Sequence, residues 1–505
     1  MNLLKTKIYL AFLPATIALS ACATDGDIER DMNNLDQAEI VEEGDELRSR
    51  RAPRPSSRPS DPRQTRPAPM ETISEPPLDP SPDAQADATP DTEPEESIEP
   101  IPEVDDAPAA DPEPDPELDS ESSEPEPDLV ASYGHPLVQE ALRLPRVAFS
   151  YEPQDLPDAF ARDAALANNA PLDNDHSDAL SDQRATLGRV LFYDTKLSLN
   201  ESVSCASCHQ QDLGFSDDAT LSEGFDGGLT GRNSMPIVNV GYYANGAMFW
   251  DERALTLEHQ VLMPIQDEIE MGMSLDALVS RLESTPYYPI LFELAFGDTE
   301  ITEERISLAL AHFNRSIISH NTRYDQALAL ANGDPRRPFA MFSAEENSGK
   351  DLFFRPARDG GAGCAGCHLA PPQAGAPRPT SIFFVNGASN NGLTDGRDPS
   401  DDPGLGAVTG RAADLGKFKS PTLRQTALTA PYMHDGSLET LRDVIDHYSE
   451  GVRAHPNLDP RLRQPNGAPQ RLNLSEAEKV ALEAFLHTLT DEQLNRDERF
   501  ADPFR

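Results

Sequence analysis

One five-residue pattern, present twice, constrains this chain more than any other feature. It reads CASCH at 205–209 and CAGCH at 364–368. C-x-x-C-H attaches c-type haem, because the two thiols add to the porphyrin and the adjacent histidine ligates the iron. A zinc site or a CxxC redox pair would leave the histidine at the same offset unexplained. The sequence therefore predicts two covalently bound haem c groups, held by Cys205, Cys208, His209, Cys364, Cys367 and His368.

The fifth cysteine lies near the N-terminus. Two lysines precede an apolar run over residues 8–18, which is too short to span a bilayer but suits the core of a signal peptide. The run ends in LSAC (19–22), which resembles the lipobox of bacterial lipoproteins. That resemblance implies a signal peptide over 1–22, acylation of Cys22, and a periplasm-facing, lipid-anchored protein, with Ala23 favouring the outer membrane. The alternative is an ordinary exported precursor in which Cys22 is incidental.

Residues 23–130 have a composition unlike the rest of the chain. Of the 505 residues, 87 are acidic and 42 are Lys or Arg, for a net charge of −45; residues 23–130 hold 33 of the acidic and 8 of the basic side chains. They contain no aromatic residue, and 20 prolines lie within 51–130. Such a segment cannot bury enough apolar surface to fold, so we expect a disordered, extended tether. A binding role for the acidic run is the alternative, but nucleic acid is excluded as a partner because no basic surface is predicted.

The remaining residues, 131–505, carry helix signals separated by glycine-rich and asparagine-rich loops. Ser343-x-x-Glu346 and Ser475-x-x-Glu478 are capping boxes, and each stands before a run of apolar residues. The length exceeds what one hydrophobic core holds. We therefore expect a mostly α-helical protein of more than one domain with long irregular loops.

The sequence around the haem motifs resembles the bacterial dihaem cytochrome c peroxidase and MauG family. The shared segments are LFYDTKLS (191–198), GRNSMPIVN (231–239), FWDER (249–253) and FKSPTLRQTALTAPYMHDGSLETL (418–441). The resemblance implies two cytochrome c-like haem domains, an N-terminal peroxidatic one over 131–335 and a C-terminal one over 336–505.

The same resemblance implies roles for three further side chains. Trp250, in FWDER, takes the place of the tryptophan that couples the two haems; a core tryptophan with no electronic role is the alternative. Gln260 and Glu270 stand where the family has its distal-pocket residues. Glu270 is expected to move a proton between the two oxygens of hydrogen peroxide, which suits a carboxyl group in an apolar pocket.

Two departures from the conventional peroxidases favour the MauG branch. The loop SEGFDGGLTG (222–231) lacks the histidine that blocks the first haem of those enzymes, which predicts an open distal side. The family position for the distal ligand of the second haem, fourteen residues after His434, is occupied by Tyr448 rather than methionine. A phenolate stabilises high oxidation states of iron. A structural Tyr448, with His447 or Met433 as ligand instead, is the alternative.

The family also implies a calcium ion, bound by the Asn233 side chain and the backbone carbonyls of Thr429 and Pro431. Ala362 stands where MauG has the surface tryptophan used to oxidise its protein substrate, so that substrate is not inherited with the resemblance. The predicted function is an oxidoreductase that uses hydrogen peroxide to oxidise a small redox protein or a protein side chain. A non-catalytic dihaem electron carrier is the alternative.

Overall fold

The computed structural model describes the chain from residue 132 onward, with gaps. The described residues are 132–152, 156–158, 160, 180–243, 246–369 and 387–505. All of them belong to the unit Asp115–Arg505. The predicted signal peptide, Cys22 and the acidic tether lie outside the described residues and stay predictions.

Within the described ranges, short α-helices alternate with long loops, and β-pairing is limited to isolated bridges. The helices are α1 Pro136–Ala141, α2 Asp182–Tyr193, α3 Cys205–Cys208, α4 Leu257–Gln266, α5 Leu275–Glu283, α6 Tyr288–Phe296, α7 Glu303–Ser316, α8 Arg323–Leu330, α9 Ala344–Phe354, α10 Ala365–His368, α11 Leu405–Thr409, α12 Leu441–Asp446 and α13 Glu476–His487. The mostly α-helical fold is thereby confirmed, and both predicted capping boxes form, at the starts of α9 and α13.

The described residues form two lobes, each with its own apolar core. In the first lobe, which is built around residues 133–317, a glycine lets two helices touch. Helix α2 packs along α7, and a Cβ built at Gly188 would lie 2.0 Å from the Ala309 carbonyl oxygen and 2.8 Å from the Phe313 Cβ. No side chain fits in that space, so only glycine permits this contact between helix backbones. Seventeen residues later in the chain comes Cys205, at the start of the first haem motif.

The second lobe repeats the arrangement. Helix α9 packs along α13, and a Cβ at Gly349 would lie 1.8 Å from the Ala481 carbonyl oxygen and 2.9 Å from the Phe485 Cβ. In both lobes the glycine faces an alanine carbonyl, and a phenylalanine follows four residues after that alanine. The second haem motif begins at Cys364, fifteen residues after Gly349. In each lobe the haem motif therefore lies in the chain between the two helices of such a pair, soon after the first of them.

The lobes have separate apolar cores but are tied together by the C-terminal segment. The first core draws on residues between Tyr133 and Ile317, and the second on residues between Tyr324 and Leu489. Phe500 returns to the first core, and its carbonyl accepts a hydrogen bond of 2.6 Å from the Tyr193 hydroxyl. Helix α8, which the sequence assigned to the first domain, contributes to the second core; the boundary at residue 335 stays a prediction.

A buried ion pair fixes the loop that follows the FKSP segment. The Arg424 guanidinium donates two hydrogen bonds of 2.7 Å to the Asp325 carboxylate, and both side chains are almost fully buried. Asp325 also accepts from Thr322 at the start of α8. Removing one partner would leave an uncompensated charge, which typically costs about 3–5 kcal/mol.

None of the helices in the described part of the chain has the length and apolar character needed to cross a bilayer.

We expect Gly188→Ala and Gly349→Ala each to destabilise the protein by about 1–3 kcal/mol, because the added methyl group collides with a backbone carbonyl across a helix contact. Denaturant unfolding of the haem-loaded protein measures the loss. Gly231→Ala is the matched control, since a Cβ there meets nothing within 4 Å. Equal midpoints for Gly188→Ala and the control would contradict the packing argument.

Candidate functional site

The first haem motif forms a single helical turn whose histidine is held by the backbone. Helix α3 starts after Ser204, whose backbone N–H donates to the Ser207 hydroxyl at 3.0 Å. The His209 Nδ1 lies 3.0 Å from the Phe215 carbonyl oxygen. With Nδ1–H donating to that carbonyl, Nε2 is the nitrogen left to ligate iron, which is the usual arrangement for a metal-bound histidine. The residues of this site therefore fit a haem c.

A cavity opens beside this motif. Its lining includes both motif cysteines, His209, Gln260 and Glu270. His209 is the only histidine among the residues that line it. The remaining lining is largely apolar, with Phe192, Val203, Ile237, Val261, Met271 and Leu310 contributing side chains. The sequence-predicted distal residues and the haem motif are thus brought together in one cavity.

Glu270 is held within this cavity by its own loop. Its backbone N–H donates to the Asp267 carboxylate at 3.1 Å, and its carbonyl accepts from the Phe225 N–H at 3.0 Å. Burial raises the pKa of the Glu270 carboxyl to about 7; Asp267 adds to the rise and Arg253 opposes it. A carboxyl with this pKa can both accept and release a proton near neutral pH.

The loop 222–231 packs directly on the Glu270 loop. A Cβ at Gly224 would lie 1.7 Å from the Ile269 carbonyl oxygen, so glycine is required for this approach. The Thr230 N–H donates to the Ser222 carbonyl at 2.9 Å and closes the base of the loop. The loop contributes Glu223, Gly224 and Thr230 to the cavity lining, and no haem-ligating side chain.

The second motif also has the properties of a haem site. Helix α10 ends at His368, whose buried Nδ1 has no hydrogen-bond partner among the described residues. Burial raises the pKa of Cys364 to about 12 and that of Cys367 to about 11, and it lowers the pKa of His368 to about 4. The imidazole is therefore neutral, which is the form that ligates a metal. Residues 370–386, which follow this motif, lie outside the described ranges.

Tyr448 lies close to the second motif, in a π-helical turn that continues α12 over His447–Gly451. Burial raises the pKa of its phenol, and the neighbouring Cys367 adds to the rise. The nearby Asn391 side chain opposes the rise in the pKa of the phenol. Asn391 also engages both alternative ligands: its carbonyl lies 3.1 Å from His447 Nε2, and its Nδ2 donates to the Met433 sulphur at 3.3 Å.

Trp250 lies at the junction of the two lobes. Its indole Nε1 donates to the Asn233 carbonyl at 2.8 Å, and its own carbonyl accepts from the Lys419 N–H at 2.7 Å. The indole meets the His434 imidazole edge-on, with 6.4 Å between the ring centroids. Trp250 therefore contacts both the first lobe and the FKSP-to-PYMHDG segment of the second.

Asn233 is the residue predicted to give calcium a side-chain ligand. Its Nδ2 donates to the carbonyls of Ala219 at 3.0 Å and Thr220 at 3.3 Å, which leaves Oδ1 as its ligand-capable atom. Its backbone N–H donates to the His434 carbonyl, a few residues after Thr429 and Pro431. The described residues contain no cluster of three His, Cys, Asp or Glu suited to a metal, so a cation here would depend on amide and carbonyl oxygens.

Sequence reasoning missed two features of these sites. One is the π-helical turn, a type of helix distortion that is frequent at functional sites. The other is Asn391, the residue that gathers Tyr448, His447 and Met433. Both depend on contacts between distant segments, and neither has a local sequence signal.

A family model and individual relatives of this chain point to the same protein family. Residues 182–333 match the family described as di-haem cytochrome c peroxidase. The methylamine utilization protein MauG of Methylorubrum extorquens is 36% identical over 318 residues, covering 62% of this chain and 80% of that protein. The cytochrome c551 peroxidase of Nitrosomonas europaea is 31% identical over 309 residues, covering 61% of this chain and 80% of that protein.

Solved structures agree with these matches. The crystal structure of a MauG-like protein associated with microbial copper homeostasis has a TM-score of 0.57 and 35% identity, and the alignment covers 70% of this chain and 99% of that one. The diheme peroxidase BthA of Burkholderia thailandensis shares the fold, with a TM-score of 0.51 and 23% identity over 65% of this chain and 91% of its own. The chain therefore belongs to the di-haem cytochrome c peroxidase and MauG family, whose members are oxidoreductases that carry two haem c groups and act on hydrogen peroxide.

Proposed function

We propose that this chain is a MauG-type dihaem peroxidase, in which hydrogen peroxide reacts at the haem held by Cys205, Cys208 and His209. The observation that carries the proposal is the cavity in which Glu270, with a pKa raised to about 7, lies beside a haem motif and no second histidine is present. An unblocked distal side admits peroxide without prior reduction of the second haem.

The haem iron, when bound, supplies the Lewis acid and the electrons that cleave the O–O bond. Glu270 removes the proton from the peroxide oxygen nearer the iron and delivers it to the outer oxygen, which leaves as water. The amide of Gln260 orients the peroxide by hydrogen bonding. The largely apolar lining excludes bulk water, which keeps the Glu270 pKa near neutrality.

Cys364, Cys367 and His368 would hold the second haem, with Tyr448 as a further ligand. A buried phenolate favours oxidised iron, so a haem bound here would be suited to storing an oxidising equivalent rather than to accepting electrons readily. Trp250 couples the two haems across the lobe junction. The final electron donor is a small redox protein or an oxidisable protein side chain.

The proposal extends to the parts of the chain outside the enzyme centre. Cys22 anchors the protein by a lipid on the periplasmic face of the envelope, and 23–130 is a tether. The haem domains are 131–335 and 336–505.

A non-catalytic dihaem electron carrier is the competing function, and the reaction with peroxide separates the two. Stopped-flow absorption after one equivalent of H2O2 is expected to shift the Soret band of the wild-type protein. Unchanged Soret bands would favour the carrier.

We expect Glu270→Gln to slow the reaction with H2O2 by about 10²–10⁴-fold, because the general base is removed. In the wild type the base is the carboxylate, which is the form present above the pKa, so the rate should rise with pH through about 7. The variant should lose this inflection. Stopped-flow rates across pH measure both effects, and Glu268→Gln, on an exposed residue of the same loop, is the control. A retained inflection in Glu270→Gln would assign the proton transfer to another group.

We expect Tyr448→Phe to change the absorption and EPR spectra of the second haem in the resting protein, because an axial oxygen ligand is lost. His447→Gln and Met433→Leu are the matched controls, and both should leave the spectra unaltered. If Tyr448→Phe matches the wild type and one control does not, the ligand is the residue replaced in that control.

Calcium bound by Asn233, Thr429 and Pro431 completes the proposal. Elemental analysis of the purified protein is expected to find one calcium ion per chain, and Asn233→Ala should lose it. A wild-type protein that contains no calcium when purified without chelator would remove this element of the proposal.

A further inference from the structure

Lys419 places a buried amino group at the junction of the lobes. The residue is 3% exposed, and its Nζ lies 3.9 Å from the centroid of the Tyr243 ring and 3.6 Å from the Met248 sulphur. No carboxylate oxygen of the described residues lies within ion-pair distance of this nitrogen. Burial lowers the pKa of Lys419 to about 7, with Glu252 opposing the shift.

The contrast with Arg232, another cation at this junction, is informative. The Arg232 guanidinium bonds to Asp402 at 2.7 Å and to Asp251 at 2.6 Å, so its charge is neutralised by two carboxylates. Among the described residues, the close contacts of the Lys419 charge are an aromatic face and a thioether. Burying a charge in this way costs stability, and strongly perturbed groups of this kind concentrate at functional sites.

Lys419 is joined to Trp250 by the backbone and through Tyr243. Its N–H donates to the Trp250 carbonyl at 2.7 Å, and the Tyr243 hydroxyl beneath its ammonium donates to Glu252 at 2.6 Å. The turn that carries Trp250 is unusual, since Phe249 and Glu252 have φ values of 68° and 58° although neither is glycine. Backbone strain of this kind persists only where surrounding contacts hold it.

A charge at this position acts on the oxidation of its aromatic neighbours. Loss of an electron from Trp250 leaves a positive indole. Loss of an electron from Tyr243 sends its phenolic proton to the Glu252 carboxylate and neutralises that negative charge. Oxidised Tyr243 is less stable with the Lys419 cation on its ring, and oxidised Trp250, whose carbonyl is bonded to the Lys419 backbone, is disfavoured by the same charge at longer range; both effects are stronger where water is excluded.

We propose that Lys419 is a positioning residue that sets the redox behaviour of the junction: its ammonium makes Trp250 and Tyr243 harder to oxidise. Oxidising equivalents from peroxide then pass through Trp250 without remaining on it, and Tyr243 is kept from becoming a side-chain radical. The inference rests on the proposed bridging role of Trp250.

The test compares the haem-loaded wild type with Lys419→Met, which removes the charge at similar volume, and Lys419→Arg, which keeps it. Freeze-quench EPR after one equivalent of H2O2 should show a higher yield of tryptophan and tyrosine radicals in Lys419→Met, and the wild-type yield in Lys419→Arg. Adding Tyr243→Phe to Lys419→Met should remove the tyrosine component. Equal yields in the wild type and Lys419→Met would overturn the proposal, as would a raised yield in Lys419→Arg.

A second oxidant separates this proposal from the proposed function. A photogenerated ruthenium(III) complex oxidises the resting ferric protein without peroxide, and the same order of radical yields is expected. If the wild type does not react with H2O2 but the ruthenium-oxidised proteins keep this order of radical yields, the peroxidase function is contradicted and the proposal for Lys419 is supported. If Lys419→Met binds less haem than the wild type, Glu252→Gln is used instead. This variant removes the carboxylate whose negative charge opposes that of Lys419, so a lower radical yield than in the wild type is expected. An unchanged yield would overturn the proposal.

Discussion

The contact between two helix backbones in each lobe is the constraint on which the rest of the molecule depends. Gly188 and Gly349 let α2 approach α7, and α9 approach α13, closely enough for a glycine Cα to face an alanine carbonyl. The chain reaches a haem motif soon after the first helix of each pair. The thiols and the histidine are thereby presented against an apolar core, where burial keeps the imidazole neutral and available to iron.

The junction between the lobes follows a different principle, since it is built from backbone polar groups and paired charges rather than from apolar packing. The Trp250 indole, the Asn233 backbone and the Lys419 backbone are joined by hydrogen bonds, and Arg232 reaches Asp402 of the other lobe. Buried hydrogen bonds fix geometry more sharply than apolar contacts, because an unmade bond leaves a costly unpaired group. A residue that carries electrons between two haems benefits from such a fixed position.

Much of the fold and part of the site could be predicted from the sequence. The haem motifs and the capping boxes before α9 and α13 are local signals, because the chemistry or the hydrogen bond involves residues within a few positions of one another. The meeting of Gln260, Glu270 and His209 in one cavity was expected only through the family resemblance. Asn391 and the π-helical turn at Tyr448 carry no such signal, because they arise from contacts between segments over fifty residues apart. The tether and Cys22 lie outside the described residues.

Two buried cations of the second lobe, Arg424 and Lys419, differ in whether a carboxylate neutralises their charge. Arg424 is matched by Asp325 in a two-bond pair, and this arrangement offsets the cost of burial while fixing the loop after FKSP. Lys419, five residues earlier in the same segment, has no such partner and rests on Tyr243. A structural role would be served as well by a leucine or methionine of similar size, which would bury no charge. The retained lysine is therefore best explained by its effect on the electrons of its neighbours: its Nζ contacts the Tyr243 ring, and its backbone N–H donates to the Trp250 carbonyl.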